Sequence, residues 1–314
     1  MRTFVLRRLA FLVLTLLLTS ILIFTATQLL PGDVARIILG REAGEEALAA
    51  LRTELGLDRP AVVQYFAWLG RFVRGDWGTS FGTGSAVRPL ILGRLRNSLM
   101  LTVVALVFAV PISLVLGVWA GLRPHGVVDQ VISIGSLSVV GLPEFVTGVL
   151  LIELLAHRWD LLPASSSIAP ETGFWEALPF LILPALTATL VLLAYITRLT
   201  RAEVVEQMKR DYVRTAVLKG LPRRTVVFKH VLRNALLPTI TVIAISVTWL
   251  VGGLIVIENV FNYPGLGRLL LFAIDRRDLP LIQGIAILVV LTVVFANFAA
   301  DLLYAVLNPR IRFE

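Results

Sequence analysis

Six apolar stretches, each long enough or nearly long enough to cross a lipid bilayer as a helix, limit what this chain can become. They run over about 9–30, 97–122, 131–156, 177–197, 235–257 and 281–307. A hydrocarbon core about 30 Å thick needs roughly 20 apolar residues in helix. A helix also satisfies its own backbone hydrogen bonds in lipid, which irregular chain does not. The composition agrees: of 314 residues, 57% are hydrophobic and only 16% charged. The expected fold class is all-α, a polytopic membrane protein with six transmembrane helices in a single membrane domain over 1–314. A long extracytoplasmic helical segment occupies 31–96, the core spans 2–6 occupy 97–307, and a cytoplasmic loop between spans 4 and 5 occupies 198–235.

Arg2, Arg7 and Arg8 precede the first stretch, as in a signal peptide. Its apolar run is longer than the 7–15 residues usual there, and Leu30-Pro31-Gly32-Asp33 follows instead of a small-residue cleavage site. A retained span is expected. With no cysteine, the chain has no disulfide, thiolate metal site or cysteine nucleophile.

Lys and Arg set the orientation. With the N-terminus inside, the inner segments hold Arg2, Arg7, Arg8, Arg123, ten Lys/Arg in 198–234, then Arg310 and Arg312. The short outer loops hold only Arg158, Arg268, Arg276 and Arg277. Segment 31–96 has nine Arg against seven acids and is long enough to escape the rule. Both termini are expected in the cytoplasm. The net charge of +8 then falls where topology puts it, so nucleic acid is not an expected partner, whereas anionic lipid heads are.

Loop 198–235 is too long for a turn and too patterned for a tail. Val204, Val205, Met208, Tyr212, Ala216 and Val217 recur at helical spacing, and Gly220 ends that helix. Pro222 suits the first turn of a second helix, with Val226, Val227, Val231 and Leu232 on one face. Two amphipathic helices joined at Gly220-Leu221-Pro222 make either a hairpin lying on lipid heads or a docking knob for a cytosolic partner. Periodicity leaves the two near even.

Residues 214–238 add a resemblance. Ala216, Gly220 and Leu232 stand where the cytoplasmic signature of permease subunits in ATP-binding-cassette (ABC) importers has Ala, Gly and Leu. That motif reads roughly Glu-Ala-Ala, three residues, Gly, nine residues, Ile-x-Leu-Pro. Here Arg214-Thr215 replace Glu-Ala, His230 replaces Ile and Arg233 replaces Pro. These departures resemble the dipeptide/oligopeptide/nickel branch, through Asp211-Tyr212-Val213-Arg214-Thr215-Ala216, Lys219-Gly220-Leu221, Arg233-Asn234-Ala235-Leu236 and Pro238. Similar to the same branch are Leu30–Asp33, Leu55-Gly56-Leu57-Asp58-Arg59-Pro60, Gly75-Asp76-Trp77-Gly78, Val260 to Gly267, and Asp301-Leu302-Leu303-Tyr304 with Asn308-Pro309-Arg310.

The resemblance implies the B-type member of a heterodimeric pair in a bacterial or archaeal cytoplasmic membrane. It implies a second related permease subunit, two cytosolic ATPases and an extracytoplasmic solute-binding protein as partners. Arg214, Thr215, Ala216, Lys219, Gly220 and Leu221 become the residues expected to couple to the ATPases. No G-x-x-x-x-G-K-[ST] loop occurs in the chain, so ATP and Mg belong on the partner subunits and no enzyme activity or cofactor is expected here.

Glu144 and Glu153 lie in the third span, and Asn297 stands one turn before Asp301 in the sixth. A charge at the bilayer centre costs at least about 2.5 kcal/mol, so such groups usually face protein or water. Pro143 removes a helical hydrogen bond beside Glu144. Pro143, Glu144 and Asn297 are the candidate translocation path, while Glu153 and Asp301 sit near span ends that reach the interface. Segment 31–96 reads as an amphipathic lid on the outer face or as a docking surface for a binding protein, the second being favoured by what the branch requires. Trp68, Asp76 and Trp77 are its candidate docking residues, with Tyr263, Pro264 and Gly265 as a further docking or gate turn.

A secondary, ion-coupled transporter is the competing class, but the chain has no evident inverted repeat and only scattered intramembrane acids. His125, His157 and His230 all fall in loops, which disfavours an intramembrane protease. Within the branch, the expected solutes are di- and oligopeptides, with nickel chelates, glutathione and oligosaccharides as alternatives. The lack of Cys and clustered His disfavours soft-metal ligation by this chain.

Overall fold

The structure, a computed structural model, describes residues 2–29, 34–40, 42–169 and 172–307. The motifs at Leu30–Asp33 and Asn308–Arg310 lie outside them, and of the side chain of Asp301 nothing is described. Apart from one isolated bridge between Thr79 and Ala86, the described residues form helices and turns. Among them, four helices are long and apolar enough to cross a membrane: Leu6–Gln28, Val87–Leu122, Phe174–Met208 and Leu279–Ala299. The pair Val127–Gly141 and Glu144–Arg158 makes a fifth if counted as one bent span.

The chain packs as two compact units, 1–97 with 265–298 and 98–264 with 299–314. In the first, α1 (Arg2–Gln28) is followed by α2 (Val34–Leu39), α3 (Glu45–Leu55) and α4 (Ala61–Val73). The alternation of Glu45, Glu46 and Glu54 with Ala47, Leu48, Leu51 and Leu55 is that of a helix within 33–57. Gly40, at φ +88, ends α2 before α3 begins, because a left-handed backbone cannot continue a right-handed helix. α4 lies on α1 through an aromatic cluster. Phe24 meets Tyr65 edge-on at 5.5 Å and Trp68 at 5.6 Å, and Ser20 Oγ is 2.7 Å from the Tyr65 hydroxyl.

The second unit takes most of α5 (Val87–Leu122), then α6 (Val127–Gly141), α7 (Glu144–Leu151), α8 (Phe174–Met208), α9 (Asp211–Leu218) and α10 (Arg223–Thr225). α11 (Leu232–Gly253) and α12 (Ile255–Val260) follow. Two short π-helical segments, Ile152–Arg158 and Val226–Val231, extend α7 and α10. α13 (Leu266–Asp275) and most of α14 (Leu279–Leu307) return to the first unit, where Val87, Ile91, Leu266, Leu269, Leu281 and Ile285 share a buried core.

α5 and α8 are matched in parallel. Thr189 Oγ1 donates to the Ala105 carbonyl at 3.2 Å, and Thr197 Oγ1, two turns on, donates to the Ser113 carbonyl at 3.3 Å. Further on, glycine is required twice. A Cβ at Gly117 would stand 2.6 Å from Thr200 Cβ, and one at Gly121 would stand 2.7 Å from Val204 Cβ. This is small-x-x-x-small packing, in which helices bind by close van der Waals approach because lipid offers no hydrophobic drive. Two parallel helices require the chain between them to run back along their length, and α6 with α7 makes that return.

The return is not straight. Leu142 (φ −95, ψ 133) and Pro143 (φ −59, ψ 143) are both extended, and α6 and α7 meet at 105°. Proline pushes its predecessor out of the helical region and lacks the N–H needed to continue the ladder. The span expected at 131–156 is therefore two half-helices.

Candidate functional site

The loop after α8 folds as a small two-helix body with its own core. Val204, Val213, Ala216, Val226, Val231 and Ala235 are buried together, backed by Val118 and Leu122 from α5. The helix boundaries differ from the sequence reading. α8 ends at Met208, and Arg210 is extended (φ −71, ψ 145) before α9 begins, so Val213 takes the buried place expected of Val217. No Gly or Pro announces this break. Gly220 then closes α9 at φ +72, and Leu221 N–H donates back to the Ala216 carbonyl at 3.3 Å. Pro222 stands one residue before α10 as its N-cap.

The residues singled out here divide by burial. Ala216 is in the core, whereas Arg214, Thr215, Lys219, Gly220 and Leu221 are exposed. Leu218 is 79% exposed and Phe228 71%, and Val217 and Leu221 join them. Arg214, Lys219, Arg223, Arg224 and Lys229 are exposed on the same body. Nothing lies within 4 Å of where a Cβ on Gly220 would point. Uncovered large apolar side chains rimmed by charge mark a surface that contacts protein or membrane.

Above this body, α6 is tied to α8 by an ion pair that sequence reasoning missed. Arg201 Nη2 donates to Asp129 Oδ2 at 2.7 Å and Nε to Oδ1, a two-pronged pair. Asp129, 2% exposed, also accepts the His125 N–H at 2.8 Å and the Ser133 hydroxyl at 3.3 Å. The partners are 72 residues apart and leave no local pattern. Two other buried acids were also missed. Glu258 accepts the Ser98 hydroxyl at 2.5 Å. Asp278, fully buried, accepts Ser80 Oγ at 2.5 Å and Gly82 N–H at 2.9 Å.

Pro143 caps α7, and Glu144 opens it. Glu144 Oε2 is buried without a hydrogen-bond partner among the described residues, as is Thr147 Oγ1 one turn later. Glu153 lies in the π-helical segment, exposed, with Oε2 3.7 Å from His157 Nδ1. Asn297 is exposed on α14.

In the outer segment, Trp77 stacks on Phe72 at 4.8 Å, and its Nε1 donates to the Phe72 carbonyl at 3.2 Å. Trp68 sits 6.1 Å from Phe72, and Asp76 Oδ1 accepts the Gly78 N–H. Tyr263, Pro264 and Gly265 are buried. Tyr263 N–H donates to the Glu258 carbonyl at 2.7 Å, so these three shape a turn rather than offer an open surface.

Membrane-length helices and a glycine-closed two-helix body with uncovered apolar side chains together define a polytopic membrane protein. Residues 113–313 match the binding-protein-dependent transport system inner membrane component family, and residues 1–102 match the corresponding N-terminal region. The chain belongs to this family: it is a permease subunit of an ABC importer and a multi-pass inner-membrane protein. Relatives align over the full length of both chains. They include a probable peptide ABC transporter permease, y4tP of Sinorhizobium fredii, 37% identical over 313 residues. The glutathione transport system permease GsiC is 37% identical in Salmonella choleraesuis and 36% identical in Escherichia coli K12, over 314 residues.

Proposed function

We infer that this chain forms half of the translocation path of an importer for di- and oligopeptides. The observation that carries this reading is full-length similarity to a peptide permease and to glutathione permeases, glutathione being itself a tripeptide. In this reading the membrane domain has six spans: α1, α5, the α6–α7 pair, α8, α11 and α14, with both termini in the cytoplasm. A second, related permease subunit completes the path, and an extracytoplasmic binding protein delivers solute to the 31–96 segment around Trp68, Asp76 and Trp77. Two cytosolic ATPases bind and hydrolyse ATP with Mg and dock on the α9–α10 body at Arg214, Thr215, Lys219, Gly220 and Leu221. Rigid-body movement of packed helices between two states then links nucleotide-driven closure to the path.

The orientation has a direct check. Cysteines placed at Ser85 and Ser165, both exposed, are expected to react with an impermeant thiol reagent from outside intact cells, and one at Gln207 is not. Labelling at Gln207 from outside would reverse the topology.

The path reading, from Pro143, Glu144 and Asn297, draws support from Glu144 and Thr147, whose buried oxygens lack a partner among the described residues and suit the donors of a peptide ammonium. At an effective dielectric near 20, a carboxylate–ammonium contact at 4 Å is worth up to about 4 kcal/mol, and partial hydration cuts that sharply. In proteoliposomes holding the whole importer, uptake of trialanine by ATP tests the function. In the same assay Glu144→Gln is expected to slow trialanine severalfold and N-acetyl-trialanine little. Uptake driven by a proton gradient without ATP would point to a secondary carrier. Equal losses for both peptides would make Glu144 structural.

A further inference from the structure

The first unit contains a cavity of about 660 Å³ that no part of the coupling reading uses. Its size falls within the range of small-ligand sites, which are concave, largely preformed and fitted with a few placed polar groups. Its wall is held firmly. Gln64 Nε2 donates to the Leu57 and Arg59 carbonyls at 3.1 and 2.8 Å, and its Oε1 accepts Gln28 Nε2 at 2.9 Å. Trp77 is fixed by its stack on Phe72. Asp278 pins the Ser80–Gly82 turn beneath it, beside the start of α14.

The lining carries both signs of charge: Arg59 and Arg71 against Glu54 and Asp76. Among the described residues, the side chains of Glu54, Arg59 and Arg71 make no hydrogen bond or ion pair. Arg59 Nε lies 3.4 Å from where a Cβ on Gly56 would stand, an ordinary van der Waals distance. Gly56 itself is at φ +69, which glycine adopts freely. Two guanidinium groups without partners, two carboxylates, three glutamine amides and two indole faces thus line one concavity. Arginine forks match a carboxylate in two-pronged geometry, carboxylates match an ammonium, amides match peptide groups, and indoles cover apolar side chains.

We propose that this cavity is a receiving site for a short zwitterionic peptide on the outer face, occupied between release from the binding protein and passage through the membrane. The proposal rests on the peptide reading above. It assigns Arg59 and Arg71 to the peptide carboxylate, Glu54 and Asp76 to its ammonium, and Trp68 and Trp77 to side-chain contact.

The test is equilibrium dialysis of radiolabelled trialanine against the permease–ATPase complex in nanodiscs with the binding protein omitted. Saturable binding is expected. It should weaken about tenfold in Arg59→Gln/Arg71→Gln, the loss of charged hydrogen bonds converted to affinity. Blocking the peptide's C-terminus as an amide should weaken binding to the unaltered complex but make little further difference in that variant. Assembly and the unfolding midpoint of the variant should match the parent, since these side chains bond to no described residue. Import of trialanine by the full importer with no saturable binding to the complex alone would overturn the receiving site and leave the peptide reading intact. Binding unchanged by the arginine substitutions, or displaced by maltotriose as readily as by trialanine, would overturn it too. Absence of both import and binding would sink the peptide reading along with it.

Discussion

Import and transport-coupled ATP hydrolysis are expected to fall to background when Gly220 is replaced by tryptophan, with insertion intact and the unfolding midpoint lowered only as far as in Gly220→Ala. The separation follows from geometry. Gly220 sits at φ +72, where a residue with a Cβ loses roughly 1–2 kcal/mol. No atom lies within 4 Å of where its Cβ would stand, so the indole has room at its base. It does meet whatever seats on the exposed tip beside Leu218 and Phe228. Gly220→Ala carries the same backbone strain without the bulk and should retain most transport. Reconstituted uptake and ATPase assays read both variants, and full activity in Gly220→Trp would remove this body from the coupling role.

The second large effect is expected at the Asp129–Arg201 pair. Removing one member of a buried pair strands the other and typically costs about 3–5 kcal/mol. Arg201 keeps 28% of its side chain exposed, which places Asp129→Ala near or below the lower end. The companion variant Asp129→Ala/Arg201→Leu removes the stranded charge as well and should recover most of the loss, because an apolar replacement of a buried pair is often neutral. Thermal unfolding of the purified complex measures both. A single variant as stable as the parent, or a double variant no better than the single, would show that the pair does not hold α6 to α8.

Four of the six expected spans, and a fifth if the bent α6–α7 pair counts as one, were legible because membrane crossing is a property of length and composition, both local in sequence. The knob was legible for a similar reason: apolar spacing located its helices, and Gly220 marked their joint. Its boundaries were less so, since Arg210 breaks α8 from α9 without a Gly or Pro to announce it. The break at Pro143 had a signal whose size, 105°, did not follow from proline alone. Tertiary pairings were the least accessible. Asp278 meets Ser80 across 198 positions and Glu258 meets Ser98 across 160, separations at which no periodicity carries information. Gly117-x-x-x-Gly121 is the exception, a helix-packing signal that is local in the chain.

The corner between α6 and α7 has a consequence for the chain by itself. If the two half-helices together make one crossing, their extended junction at Leu142 and Pro143 falls between the two faces of the membrane. Leu142 is 43% exposed there and Phe145 53%. Hydrocarbon cannot hydrogen-bond the peptide groups of a non-helical junction, so such a stretch persists at that depth only against other protein or water. A solitary copy adrift in lipid therefore carries an open seam along one side. Either other protein or a water-filled cavity must close that seam, and where protein does, association becomes a condition of the chain's own integrity and tells assembled copies from orphans.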